Sequence, residues 1–166
     1  MKVQEISAED ALAICTRMES DFFDRKAFGL TPKKAQKIAV ALSNADGGEF
    51  LIGIADDQDQ SDPKKRWSGA PEIEDFNEIL QNLYSLNPSL DFRHDYLVTS
   101  SFPGFVLRVF VRRSPSVCKT SDNTVYQRQG AASNPIKDPQ KLTELSFAKG
   151  ASSFEDYKLT VEPEVA

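Results

Sequence analysis

Two short stretches place charged side chains where they can reach a ligand. N-A-D-G-G-E-F-L-I-G-I-A-D-D, residues 44–57, sets Asp56 and Asp57 directly after an apolar run, and E-S-D-F-F-D-R-K, residues 19–26, carries Glu19, Asp24 and Lys26. A carboxylate at the end of a strand has its backbone fixed by the sheet while its side chain stays free to meet solvent or a ligand. Any turn-forming polar residue would serve a purely structural role equally well. Glu19 and Asp24 are five residues apart. Within one strand that odd spacing puts them on opposite faces, so they converge only if Glu19 lies in the preceding turn or helix end.

The elements that must position these side chains are readable from capping and periodicity. Ser7, followed by Glu9, Asp10 and apolar Ala11, Leu12, Ile14 and Cys15, predicts a capped first helix. Residues 20–28, with three phenylalanines, read as a strand. Thr31-Pro32 opens a second helix, whose Ala35, Ile38, Ala39, Leu42 and Ala45 form one apolar stripe ending at Gly47-Gly48. Asn44 is expected to cap that end. A strand over 49–55 follows, then an exposed polar loop over 57–70. A third helix starts at Pro71, carries Ile73, Phe76, Ile79, Leu80, Leu83 and Tyr84, and stops at Asn87-Pro88. Strands are expected over 95–100, 104–112 and 124–128, and a last helix over 138–149. This order implies a single α+β domain over residues 1–150, with a mostly antiparallel mixed sheet flanked by about four helices. Residues 151–166 read as a tail or the start of a linker.

Composition narrows the classes. At 166 residues and 40% hydrophobic content the chain suits one domain with a sizeable core. No apolar run approaches the roughly 20 residues of a membrane span, and acidic residues occupy the N-terminal stretch where a signal peptide needs its apolar centre, so a cytoplasmic protein is expected. Cys15 and Cys118 are far apart and lack metal-ligand spacing. A net charge of −5 argues against indiscriminate nucleic-acid binding through total charge. It leaves local basic patches: Lys33, Lys34 and Lys37 around the start of the second helix, and the run Lys64-Lys65-Arg66 in the loop. Taken singly, each patch also fits a solvated surface. The lone His94 reads as an ordinary strand or surface residue.

The pattern E-S-x-x-x-[acid]-x-K, followed by a helix and A-x-x-N-x-x-G-G-x-x-x-I-G-x-x-D, resembles the Schlafen AlbA-type domain. Ala41, Asn44, Gly47, Gly48, Ile52, Gly53 and Asp56 carry the second part. Gly69, Pro88, the strand F-V-L-R-V-F-V-R-R-S and V-Y-Q-R-Q-G, with Tyr126, Arg128 and Gly130, follow in family order. The resemblance spans residues 10–149 approximately, and the family's usual E-F-K reads Asp24-Arg25-Lys26 here. It implies a domain acting on nucleic acid: RNA, including transfer RNA, with single-stranded DNA as another substrate. In Schlafen-type members a three-carboxylate site cleaves RNA, and the corresponding acids are Glu19, Asp24 and Asp56. On that reading they hold Mg²⁺ or Mn²⁺, hard cations that prefer oxygen ligands, and Lys26 adds positive charge beside the reacting phosphate. Lys26, Lys64, Lys65, Arg66 and Arg128 are the expected nucleic-acid contacts. Because Schlafen-type members embrace RNA with two such domains, a homodimer is a further expectation. The alternative implied by the same resemblance is a non-catalytic DNA- or RNA-binding module, or a regulatory sensor within a larger protein.

Overall fold

The computed structural model describes residues 2–150, so the expected tail over 151–166 lies outside the described residues. Its elements are β1 (Val3–Glu5), α1 (Ala8–Thr16), β2 (Phe23–Lys26), α2 (Pro32–Asn44) and β3 (Gly48–Ile52), then, after a loop with one short 3-10 turn at Pro63–Lys65 and a second at Ile73–Phe76, α3 (Asn77–Tyr84), β4 (Phe92–Val98), β5 (Val106–Val111), β6 (Tyr126–Gln129) and β7 (Ala132–Pro135). A further helix, α4, occupies 139–150. Strands β1 to β5 form one mixed sheet in the order β1-β4-β5-β3-β2, and β6 and β7 form a separate hairpin. Three of the five strand pairings are antiparallel; the two parallel ones, β1 with β4 and β2 with β3, lie at the two edges of the main sheet. Single α+β architecture is thus observed, although neither β1 nor β7 is foreseen from the sequence. Among the described residues no helix is long and apolar enough to cross a membrane.

The caps act as their residue types require. Ser7 Oγ accepts from the Asp10 N–H at 3.1 Å, and Thr31 Oγ1 accepts from the Lys34 N–H at 3.3 Å, with Pro32 in the first turn. At the other end of α2 the Gly47 N–H bonds to the Leu42 carbonyl at 2.9 Å. Gly47 and Gly48 adopt φ of +81° and +149°, and a Cβ on them would stand 2.7 Å from Val111 O and 2.5 Å from Phe22 O. Two glycines are needed because β3 enters the sheet between two backbones, β5 on one side and the chain leading into β2 on the other.

Asn44 does not cap α2. Its side chain donates to the carbonyls of Cys118 and Tyr126, both at 2.8 Å, and accepts from the Cys118 N–H at 2.8 Å. It ties the loop before β6, and β6 itself, to the helix. That extra layer explains why α2 is buried well beyond the predicted stripe, taking in Val40, Ala41 and Ser43. The main core lies between one face of the sheet and helices α2 and α3, with Phe50, Ile52, Leu107 and Val109 at its centre. A smaller core under α1 joins Ala11 and Cys15 to Phe23, Leu51, Trp67 and Leu97. α1 covers only part of that second face.

Candidate nucleic-acid groove and carboxylate cluster

Strand alternation decides which charges meet. In β2, Asp24 and Lys26 point to one face and Arg25 to the other. Glu19 sits before a tight turn in which the Ser20 N–H bonds to Phe23 O at 3.0 Å, the placement its spacing from Asp24 requires. Asp56 follows the end of β3 and closes its own turn: Oδ1 accepts from the N–H groups of Gln58 and Asp59 at 3.1 and 2.9 Å. Its other oxygen is left to face Lys26.

Lys26 stands at the centre. Its Nζ is 3.4 Å from Asp24 Oδ1 and 3.6 Å from Asp56 Oδ2. Burial works against its charged form, but Asp24, Glu19 and Asp56 together outweigh that and raise its pKa. The second oxygen of Asp24 accepts from Arg128 Nη1 at 2.8 Å, an ion pair with side chains only 3% and 1% accessible. Arg128 also donates to Ser20 O and Phe23 O, each at 3.0 Å, and to Ser133 Oγ at 3.2 Å, so the hairpin is bolted to β2. Glu19 is less well served. Its pKa is raised by burial first and then by Asp24 and Asp56, with Lys26 and Arg128 opposing. Glu19 Oε1 is buried without a hydrogen-bond donor, and Asp24 Oδ1 has only the poorly aligned Lys26 ammonium beside it.

The cluster therefore sets three carboxylates against two cations, Lys26 and Arg128. Its donors are all oxygen, as a hard cation would want. The geometry does not complete a metal centre: among the described residues no three His, Cys, Asp or Glu side chains come together to hold an ion. The acids converge on the Lys26 ammonium instead.

A hollow of about 450 Å³ opens beside the cluster, lined by Asp24, Lys26, Phe28, Lys34, Lys37 and Arg128 among others. A second, of about 350 Å³, is lined by Glu19, Lys26, Asp56 and Asp57. Lys26 and Asp56 belong to both and form the wall between them. Phe28 is 42% exposed, its ring edge-on to Phe76.

A family model described as Schlafen, AlbA_2 matches residues 19–137. The chain belongs to this Schlafen AlbA_2 family. Membership makes it a nucleic-acid-related domain, and the match runs from Glu19 past the β6–β7 hairpin, so it contains the whole cluster. Among solved structures the Schlafen AlbA_2 chain is similar to the DIP2311 protein from Corynebacterium diphtheriae, at 16% identity and a TM-score of 0.48 over 77% of its own length. It spans 24% of that protein's chain. Comparison with curated proteins gave no match.

The predicted basic run does not stay together. Lys64 and Lys65 are exposed on the 3-10 turn, but Arg66 is buried, contrary to the expected exposed loop. Its guanidinium donates to Gln60 O at 2.8 Å, Cys15 O at 2.7 Å and Ser61 O at 3.3 Å, and lies 3.1 Å from Asp57 Oδ1. Arg25, fully buried, reaches the same Asp57 oxygen at 2.9 Å and the same Cys15 carbonyl at 2.6 Å. These two arginines hold the loop that presents Asp56, a role hidden in sequence because Cys15, Arg25, Asp57 and Arg66 meet only on folding. His94 is a β4 residue, edge-on to Tyr96, with its pKa lowered by burial. The groove lysines had a sequence signal in Lys33-Lys34-Lys37; Phe28 had none beyond its aromatic type.

Proposed function

We propose that this domain binds RNA along the groove between the start of α2 and the β6–β7 hairpin. Lys34 and Lys37 take phosphates, Lys26 meets the backbone at the groove floor, and Phe28 offers a face on which an unpaired base stacks. The observation that carries this reading is the placement of Lys33 and Lys34 in the first turn of α2, where no acidic residue is present. Positive charge at a helix N-terminus opposes the helix dipole by roughly 0.3 to 1 kcal/mol at exposed sites. Local rules broken in this way mark functional surface. Lys33 lies 3.6 Å from Asp122 Oδ2, which leaves Lys34 and the helix N-terminus to meet an anion.

Cleavage of the bound RNA is the second reading, favoured by Glu19 Oε1, buried without a donor, and by the Lys26 ammonium beside Asp24 Oδ1. A carboxyl group whose pKa is raised can carry a proton to or from a reacting oxygen, and Lys26 can stabilise charge developing on phosphate. If Mg²⁺ or Mn²⁺ binds here, Glu19, Asp24 and Asp56 would hold it in competition with the Lys26 ammonium.

Fluorescence anisotropy with a labelled single-stranded RNA, a transfer RNA and a single-stranded DNA tests binding. Lys34→Ala with Lys37→Ala should weaken RNA affinity and lower the salt slope by about 1.4, at roughly 0.7 per phosphate contact on a single strand. An unchanged slope would remove these lysines from the interface. Incubation of the same RNAs with Mn²⁺ or with chelator tests cleavage, and intact RNA under both conditions would leave the binding reading alone.

A further inference from the structure

We propose that the open half of the outer sheet face is a second contact for single-stranded nucleic acid, separate from the groove and resting on the nucleic-acid-binding reading. The first observation is how the arginines are spent. Arg17 pairs with Glu49, Arg25 and Arg66 with Asp57, Arg108 with Asp95 and Arg128 with Asp24. The other three, Arg93, Arg112 and Arg113, have no carboxylate partner among the described residues, and all lie at the same end of β4 and β5. Paired arginines hold this fold together. Of the other three, Arg93 and Arg112 line one hollow, whereas Arg113 faces Lys149.

The second observation is what surrounds them. A hollow of about 510 Å³ is lined by Arg17, Phe22, Glu49, Arg93, Phe110 and Arg112, together with Asp91 and neighbouring residues. Arg93, Phe110 and Glu49 stand in register across β4, β5 and β3. The guanidinium carbons of Arg93 and Arg108 each lie 4.8 Å from the Phe110 ring centroid, and that of Arg17 lies 4.0 Å from the Phe23 centroid. Phe22 is 50% exposed, yet its backbone is fixed: its N–H bonds to Ser20 Oγ at 3.2 Å and its carbonyl accepts the Glu49 N–H at 2.8 Å. The ring is therefore held outward by main-chain bonds rather than by burial.

These parts match one class of ligand. Guanidinium groups bind phosphate oxygens through paired N–H bonds, and an arginine already stacked on an aromatic ring offers its other face to a base. Bases expose their faces only when unpaired, which favours a single strand over a duplex. Glu49 is neutralised by Arg17, so among the described residues Asp91 is the one carboxylate in the hollow left to oppose phosphate. Phe22 and Asp24 are two residues apart across the start of β2, one in this hollow and the other in the groove. A strand long enough to pass the β2 edge would touch both.

The test compares labelled RNA oligonucleotides of about 4 and about 15 nucleotides, within the span of known single-strand sites. Arg93→Ala with Arg112→Ala should weaken the longer one and lower its salt slope by about 1.4, while leaving the shorter one unchanged. Phe22→Ala should weaken the longer one about fivefold to hundredfold, the equivalent of one lost stacking contact. Asp91→Asn should strengthen it. Arg93→Lys with Arg112→Lys keeps the charge and loses the planar group, so it should retain the slope yet lose affinity. Because these side chains lie at the surface, melting curves should match wild type. The proposal is overturned if the arginine variants leave the longer oligonucleotide untouched while Lys34→Ala with Lys37→Ala weakens it. Failure of the wild-type protein to bind either oligonucleotide overturns the groove reading as well.

Discussion

Replacing Arg128 by alanine is expected to cost more stability than any change at the exposed lysines. The wild-type guanidinium meets Asp24 Oδ2, Ser20 O, Phe23 O and Ser133 Oγ from a position almost closed to solvent. Truncation strips a buried carboxylate of its strongest partner and leaves Ser20 O without its donor; Phe23 O keeps the Ser20 N–H. Breaking one side of a buried ion pair costs about 3 to 5 kcal/mol. Lys26, 3.4 Å from the other Asp24 oxygen, offsets part of that, which places the expected loss near the lower end, about 3 kcal/mol. For a domain of this size that is a fall in Tm of roughly 6 to 12 °C. Asp24→Asn should cost less, because Arg128 keeps three of its four acceptors. The two changes together should cost less than their sum by about 0.5 to 3 kcal/mol. Urea unfolding followed by circular dichroism measures all three variants. A loss below about 1 kcal/mol for Arg128→Ala, or strict additivity in the double variant, would refute the claim that this pair bolts the hairpin to β2.

Two further expectations follow from the cluster and from the turn that feeds it. Glu19 has its pKa raised in the fold, so its ionisation opposes folding: stability attributable to it is present below the ordinary glutamate value of 4.5 and is lost as pH rises through the raised value. Glu19→Gln should therefore match wild type in Tm in acid and exceed it increasingly toward neutral pH, and a pH-independent difference would contradict that. Gly48→Ala drives a Cβ into the Phe22 backbone, whereas Gly130→Ala at φ +61° meets open space. The first should disrupt the seating of β3 and cost several times the roughly 1 to 2 kcal/mol of left-handed strain expected for the second, read from thermal unfolding; equal losses would show that β2 can shift.

The features written into the sequence locally were the ones it disclosed. Ser7 and Thr31-Pro32 start helices because their side chains and ring satisfy or dispense with N–H groups within a few residues. Gly47-Gly48 ends α2 by the same local logic. The strand expected over 20–28 is confined to Phe23–Lys26 because the Ser20 turn takes its beginning, and Phe22 and Phe28 remain at the surface. β1, three residues long, and β7, polar and ending in Pro135, carry no periodic signal; pairing with distant β4 and with β6 creates them. Within the site, the approach of Glu19, Asp24 and Asp56 was legible as a pattern, but the position of Lys26 among them was not. That position depends on the parallel β2–β3 register, where Lys26 pairs with Ile52 and so arrives beside the turn bearing Asp56. The burial of Arg66 was equally hidden, since a run of three basic residues reads as solvated until carbonyls from α1 and the loop surround one of them.

The groove reading is tested most directly by mapping backbone amide shifts of isotope-labelled protein as a short single-stranded RNA is added. Perturbation should concentrate on Lys26 to Lys37 and on Arg128 to Ser133, growing with saturation and fading as salt is raised. Shifts confined to other surfaces, or none at RNA concentrations of hundreds of micromolar, near the non-specific range, would contradict it.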